Sequence, residues 1–419
     1  MQTTLASWIR DTPEGSTAEE ILRRCVHCGF CQATCPTYQE LGDELDSPRG
    51  RIYLIKQVLE GEQPTSSTQM HLDRCLTCRN CETTCPSGVE YGKLVDIGRA
   101  VVAQKVERPA AERLLRAALR HGLNSPLFGP AMAVGRMLRP MLPEMLRSKV
   151  PPLRPPRALP VDTGRHARQM IMLQGCVQPG MMPAIDEATI RVLDAVGIGT
   201  RVVPGAACCG AISLHLDAQE QALQQMRANI DVWWPLLNDG RAECIVANAS
   251  GCGAMLREYA HHLRNDPIYA EKAQDLSAAV RDIAEVLAPH AVELGRHLGD
   301  ITGRHAFHPP CTLQHWQSLR GTTEKVLVDL GFKLLPFSES HLCCGSAGTY
   351  SITQKELSLR LRDRKLGHIH AVEPDSIISS NMGCISQLQS GSQVPVRHWV
   401  EIVDEALTTV PMSSNRHPG

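Results

Sequence analysis

The sequence predicts an α + α/β architecture, a mostly helical N-terminal domain followed by two copies of one α/β unit. Three observations carry this. Two nearly identical cysteine strings, C-V-H-C-G-F-C-Q-A-T-C-P and C-L-T-C-R-N-C-E-T-T-C-P, begin at Cys25 and Cys75 among helical signals. From about residue 165, short apolar runs alternate with helical stretches. In that same part a lone Cys, a Cys-Cys-Gly and a Gly-Cys recur in one order. The boundaries read from these shifts are 1–110 for the helical domain, 111–164 for a basic helical and Pro-rich linker, and 165–295 and 296–419 for the two units.

Composition narrows the function classes. Apolar residues make up 43% of the chain and charged residues 21%, as in an ordinary globular protein. The net charge of −1 argues against a dedicated nucleic-acid binder. The N-terminus, M-Q-T-T-L-A-S-W-I-R-D-T, has neither a basic start nor a long apolar run, and no stretch has the ~18 apolar residues of a spanning helix. The expectation is a cytoplasmic chain, free or held at a membrane surface. Seventeen cysteines in such a chain point to metal or redox chemistry rather than disulfides.

In the first segment, Thr17 and Glu20 read as a capping box opening a helix through I-L-R-R-C-V. In S-P-R-G-R-I-Y-L-I-K-Q-V-L-E-G, Pro48 marks a helix start and Gly61 its end. Both cysteine strings have the spacing C-x2-C-x2-C-x3-C-P. Three thiolates two residues apart wrap one cluster, while the fourth, before Pro, is directed to the other. Cys25, Cys28, Cys31 and Cys85 are therefore expected to hold one [4Fe–4S] cluster, and Cys75, Cys78, Cys81 and Cys35 a second. Zinc would use paired C-x2-C units and fits a triple repeat poorly. His27 and His71 lie near these residues and are assigned to solvent or hydrogen bonding rather than ligation.

The linker is basic from Arg113 to Lys149 and then reads P-P-L-R-P-P-R-A-L-P at 151–160, a stiff extended segment. Leu114, Leu115, Ala118 and Leu119 recur at helical spacing, with Arg113, Arg116 and Arg120 on other faces. Together with Arg136 and Arg139 they predict peripheral contact with an anionic membrane. An ordinary helix packed on its own domain has the same pattern.

The first α/β unit is expected to run as strand R-Q-M-I-M-L-Q, helix 183–196, strand T-R-V-V-P, helix 217–238 and strand C-I-V-A-N-A. Thirty-one residues separate Cys176 from Cys208-Cys209-Gly210, and Gly251-Cys252 follows. The same interval separates Cys311 from Cys343-Cys344-Gly345, and Gly383-Cys384 follows, so the unit is duplicated. Four thiols per half at strand ends would make a soft-ligand site. The competing reading is that they simply pack. Cys244 has no counterpart and is assigned to packing. G-S-A-G-T-Y at 345–350 reads as a tight turn rather than a phosphate cradle. No G-x-G-x-x-G or P-loop is present, so a flavin or other two-electron site is expected on a partner.

The paired halves resemble the cysteine-rich CCG domain of heterodisulfide reductase-type proteins. The chain as a whole resembles the iron–sulfur subunits of glycolate oxidase. The stretches that carry this include C-V-H-C-G-F-C-Q-A-T-C-P-T-Y, S-P-R-G-R-I-Y-L-I-K-Q-V-L-E-G, N-I-D-V-W-W-P, A-S-G-C-G, S-H-L-C-C-G-S-A-G-T-Y and V-R-H-W-V-E-I-V. The resemblance implies a two-[4Fe–4S] ferredoxin domain and two CCG units. It implies an electron-transfer subunit of a flavin-dependent glycolate dehydrogenase, with flavin on partner flavoprotein subunits that oxidise glycolate to glyoxylate. Electrons would pass to the quinone pool at the cytoplasmic face of the inner membrane. A further iron–sulfur centre in the repeat would use Cys176, Cys208, Cys209 and Cys252, and Cys311, Cys343, Cys344 and Cys384. Two departures stand out. Ala249 and Asn381 occupy the positions of a fifth cysteine in each half, and Pro309 precedes Pro310-Cys311 where relatives carry another Cys. A four-cysteine site or none is thus open at the repeat. The rival readings are an equivalent subunit for lactate or glycerol-3-phosphate, and a thiol–disulfide reductase.

Overall fold

A computed structural model describes residues 1–141, 143, 150–152, 158–160, 166–206 and 208–407. Most of the expected Pro-rich connection, with Arg147 and Lys149, lies outside the described residues, as does the end of the second unit from 408.

The N-terminal part is helical, as predicted. Helix α1 (Pro13–Arg24) starts earlier than the Thr17/Glu20 box implies. Thr12 is the cap, accepting from the Gly15 N–H at 3.0 Å, and Pro13 supplies the preset first turn. Thr17 sits inside the helix, its hydroxyl donating to the Pro13 carbonyl. Helix α2 (Pro48–Glu60) has the expected ends, with Ser47 accepting from the Gly50 N–H and Gly61 left-handed at φ 116°. Helices α3 (Ser66–Asp73) and α4 (Tyr91–Lys105) pack with α1 and α2 around Ile21, Leu22, Ile55, Leu59, Leu72 and Leu94. Helices α5 (Ala110–Leu123) and α6 (Phe128–Met137) follow.

The first unit runs β1 (Arg168–Met172), α7 (Pro183–Ala195), β2 (Ile198–Arg201), α8 (Gln219–Asn238), β3 (Ile245–Ala247), α9 (Ser250–Arg257), β4 (Val280–Asp282) and α10 (Ile283–Leu287). The second repeats the plan as β5 (Arg304–His308), α11 (Thr322–Asp329), β6 (Lys333–Leu334), α12 (Lys355–His370), β7 (Ser376–Ser379), α13 (Met382–Gln389), β8 (Val396–His398) and α14 (Trp399–Leu407). Both sheets are parallel, with orders β2-β1-β3-β4 and β6-β5-β7-β8, so the duplication seen in the cysteine spacing is also one of topology. The second strand starts two residues before T-R-V-V-P, because the left-handed Gly197 (φ 79°) turns the chain out of α7 directly into it.

The two units share one apolar core containing Met170, Val192 and Leu287 of the first and Phe307, Leu327 and Val403 of the second. A helix near the end of each unit packs on the other unit: α14 on α7 and α10 on α11. Arg191 on α7 makes a two-pronged ion pair with Asp404 on α14, at 2.8 and 2.9 Å.

Candidate metal centres

The N-terminal cysteines fall into two adjoining cavities. One is lined by Cys25, Cys28, Cys31, Cys81 and Cys85. The other is lined by Cys35, Cys75, Cys78 and Cys81, beside Arg51 and Tyr91. Cys85 of the second string thus joins Cys25, Cys28 and Cys31, and Cys35 of the first joins Cys75, Cys78 and Cys81, while Cys81 lines both cavities. The turns are alike. His27 and Gly29 in one string, and Thr77 and Arg79 in the other, have positive φ at corresponding positions. This backbone aims N–H groups inward, and the Thr77 N–H points at Cys75 Sγ at 3.4 Å.

The surroundings suit cationic metal. Burial pushes the Cys31 thiol up to about 11, with the neighbouring Cys25 and Cys35 adding to the rise, and burial also raises Cys25, Cys35 and Cys81. Packed thiols of this kind become thiolates readily only beside positive charge. Arg51 supplies some of it. The side chain is buried and donates to the His71 carbonyl (2.7 Å), Thr37 Oγ1 (3.0 Å) and Asp46 Oδ1 (3.2 Å). Thr37 Oγ1 lies 3.3 Å from Cys35 Sγ. Arg74 donates to the other Asp46 oxygen at 2.8 Å. Arg99 donates to the Cys75 carbonyl at 2.6 Å, and the Tyr91 hydroxyl points at Cys75 Sγ at 3.6 Å. None of these partners was singled out in the sequence, although S-P-R-G-R contains Arg51. His27 is exposed, while His71 is buried 3.1 Å from Asp46 Oδ1 without hydrogen-bond alignment.

In the repeat, the paired cysteines and their lone partners gather at the carboxyl ends of the strands, where α/β sheets carry their sites. Cys176 and Cys208 have their sulfurs 3.4 Å apart, and Cys209 is in hydrogen-bond contact with Cys208 and Cys252. Cys208 is pushed down because it accepts from both Cys176 and Cys209, and Cys176 is pushed up by donating to it. In the second unit Cys343 contacts Cys311 and Cys344, and Cys344 contacts Cys384. Gly210 and Gly345, following each pair, are left-handed, and a Cβ on Gly345 would stand 2.4 Å from the Ser358 carbonyl. Cys244 lies in the shared core, just before β3. G-S-A-G-T-Y forms a turn beside Cys343, and the Tyr350 hydroxyl donates to the Arg74 carbonyl at 3.1 Å.

The second unit faces the second cavity directly. The Cys311 thiol contacts that of Cys78, inside an apolar cluster with Leu76, Cys343 and Tyr350. Trp316 Nε1 donates to the Thr77 carbonyl at 2.7 Å, and the Arg79 guanidinium lies 3.7 Å over the Trp316 ring while pairing with Glu258 of the first unit.

The basic stretch behaves differently from its sequence reading. Arg116 is buried against Asp73, Glu112 and Asp217, Arg120 donates to the Leu216 carbonyl, Arg136 to the Met181 carbonyl and Arg139 to the Val150 carbonyl. These four are held by the fold because acceptors from neighbouring loops face them. Arg113 pairs with Glu107. The exposed large apolar side chains on α5 and α6 are Leu114, Leu115, Val134 and Met137. Among the described residues, no helix is long and apolar enough to cross a membrane.

Comparison with known proteins accords with this geometry. A 4Fe-4S dicluster domain matches residues 21–89, and a cysteine-rich domain matches twice, at 170–257 and 305–389. The chain is 52% identical to the glycolate oxidase iron-sulfur subunit of Escherichia coli (strain K12), over 97% of this chain and 99% of the relative. It is 32% identical to a probable glycolate oxidase iron-sulfur subunit of Bacillus subtilis (strain 168), over 88% and 89%. It is 28% identical to lactate utilization protein A of Geobacillus thermodenitrificans (strain NG80-2), over 52% of this chain and 92% of the relative. With two cysteine cavities followed by a duplicated cysteine-rich unit, and with identity along nearly its whole length, the chain belongs to the family of glycolate oxidase iron–sulfur subunits.

Proposed function

We propose that this chain is the electron-transfer subunit of a flavin-dependent glycolate dehydrogenase, taking electrons from partner flavoprotein subunits and passing them toward the quinone pool. Cys25, Cys28, Cys31 and Cys85 would hold one [4Fe–4S] cluster, and Cys75, Cys78, Cys81 and Cys35 the other. The eight paired and lone cysteines of the repeat would hold a further centre. We take 1–110, 111–164, 165–295 and 296–419 as the working units. The observation that carries the reading is the crossed grouping of eight thiols in two adjoining cavities, the second in contact with the repeat through Cys78 and Cys311. Such clusters, when bound, supply one-electron transfer. The chain's own residues supply the rest. Val26, Cys28 and Phe30 form an exposed rim on the first cavity, suited to a docking flavoprotein. Arg51 and Arg99 bring positive charge to the second, inner one.

The chain purified alone under anaerobic conditions is expected to show no glycolate-dependent reduction of an artificial acceptor, and to support it once flavoprotein subunits are added. Glycolate oxidation by the chain free of flavoprotein would overturn the assignment of the chemistry to partners. The likeness to a lactate utilization protein supports an equivalent role with lactate as the second reading, and the flavoprotein that co-purifies separates the two.

Membrane contact, in this reading, is peripheral, at the cytoplasmic face of the inner membrane, and uses the apolar face of α5 and α6. Changing Leu114, Leu115, Val134 and Met137 to Ser is expected to lower co-sedimentation with anionic vesicles by about tenfold or more, a loss of about 1.4 kcal/mol or more in binding. Unchanged co-sedimentation would mean that any membrane contact comes through partners.

A further inference from the structure

The two units are not chemically equivalent. His308 closes β5 and is fully buried, and neither of its ring nitrogens has a hydrogen-bond partner among the described residues. A neutral imidazole carries one donor and one acceptor, and leaving both unmet in the interior is costly. Its ring nitrogen and the sulfurs of Cys344 and Cys384 all lie within 4.8 Å of one another. Ligands bound tetrahedrally to a single zinc-like ion at about 2.0–2.3 Å stand about 3.3–3.8 Å apart, so side-chain shifts of about 1 Å bring these three atoms to share one. Polar groups surround the sulfurs. Asn381 Nδ2 donates to Cys384 Sγ at 3.6 Å, and the buried Lys365 lies near Cys344. In the first unit, the residue three before the lone cysteine is Leu173, buried and unable to ligate.

We propose that His308 is a nitrogen ligand, with Cys344 and Cys384, to a thiophilic metal centre in the second unit that the first unit cannot build. This rests on the reading that the repeat's thiols hold metal, and it deepens that reading. Replacing a thiolate by a neutral imidazole leaves an iron–sulfur centre less negative and raises its potential, as histidine ligation does elsewhere. A centre in the unit that touches Cys78 would then be more oxidising than one held by thiolates alone, and so the better electron acceptor.

The test uses the full chain, purified anaerobically, as wild type, H308L, H308N and L173H. Wild type is expected to carry metal beyond the about eight iron atoms of two [4Fe–4S] clusters. Pulsed EPR should show a histidine 14N coupling on the additional centre. H308L and H308N should lose that coupling and the additional metal while keeping the about eight iron atoms, which reports an intact fold, and L173H should keep both. If the additional metal is zinc with a nitrogen neighbour, and is lost in H308L, the His308 site stands and the redox reading of this unit falls. Additional iron without a 14N coupling, unchanged in H308L, overturns the His308 site and leaves the redox reading in place. No metal beyond the two N-terminal clusters overturns both. Should the variants misfold, the 14N coupling or zinc–nitrogen distance in wild type decides alone.

Discussion

Cys85→Ser is expected to remove the cluster to which Cys25, Cys28 and Cys31 contribute, and to spare the one nearer Cys85 in sequence. Cys85 lines the first cavity, although it belongs to the second string. Iron should fall by about four atoms per chain, one cubane's worth. One of the two N-terminal EPR signals should vanish, and glycolate-dependent quinone reduction by the reconstituted complex should fall to background. The reciprocal variant, Cys35→Ser, should remove the other signal. Loss of only the Cys75/Cys78/Cys81 signal in Cys85→Ser would refute the crossed arrangement. Cys244→Ser supplies the control, since that thiol is buried in the shared apolar core and lines neither cavity.

The second large effect is expected at Asp46. Its carboxylate is fully buried and takes Arg51 and Arg74, while its carbonyl takes the Thr37 hydroxyl at 2.8 Å. Asp46→Ala leaves the Arg51 guanidinium in the interior without its counter-charge. Breaking a buried pair from one side in this way costs about 3–5 kcal/mol. Thermal unfolding of the cluster-loaded chain should show the loss as a lowered midpoint. Because Arg51 and Thr37 also lie against Cys35, the potential of the second N-terminal cluster should shift as well. A midpoint within a degree of wild type would show that the network contributes little.

What was legible in the sequence was what spacing encodes. The recurring interval before each Cys-Cys-Gly gave two units that prove to have the same strand order, and the cysteine strings gave the crossed ligand sets that Cys85→Ser tests. Pro48 and Gly61 gave both ends of α2, because such end signals are local. Where a tertiary partner decides, sequence reading failed. The arginines from 113 to 139 read as a membrane-facing basic set, yet four of them donate to acceptors supplied by distant segments or loops. Asp46 and Arg51 sit among polar neighbours that mark nothing by themselves, and only folding brings them to Cys35. His308 drew no reading, since no rule of spacing ties it to cysteines 36 and 76 positions away.

The exchange of end helices between the units, α14 onto α7 and α10 onto α11, is the geometry of a domain-swapped homodimer written into one polypeptide. A single unit cut free would expose the apolar wall that its sibling covers, and its remedy would be a second copy of itself. The short connection around residues 298–303 makes that pairing intramolecular, so assembly does not depend on protein concentration. It also frees each half to diverge, because a substitution no longer appears twice. A leucine at 173 where the other half has a histidine at 308 is the kind of difference that a symmetric pair of identical chains could not have acquired.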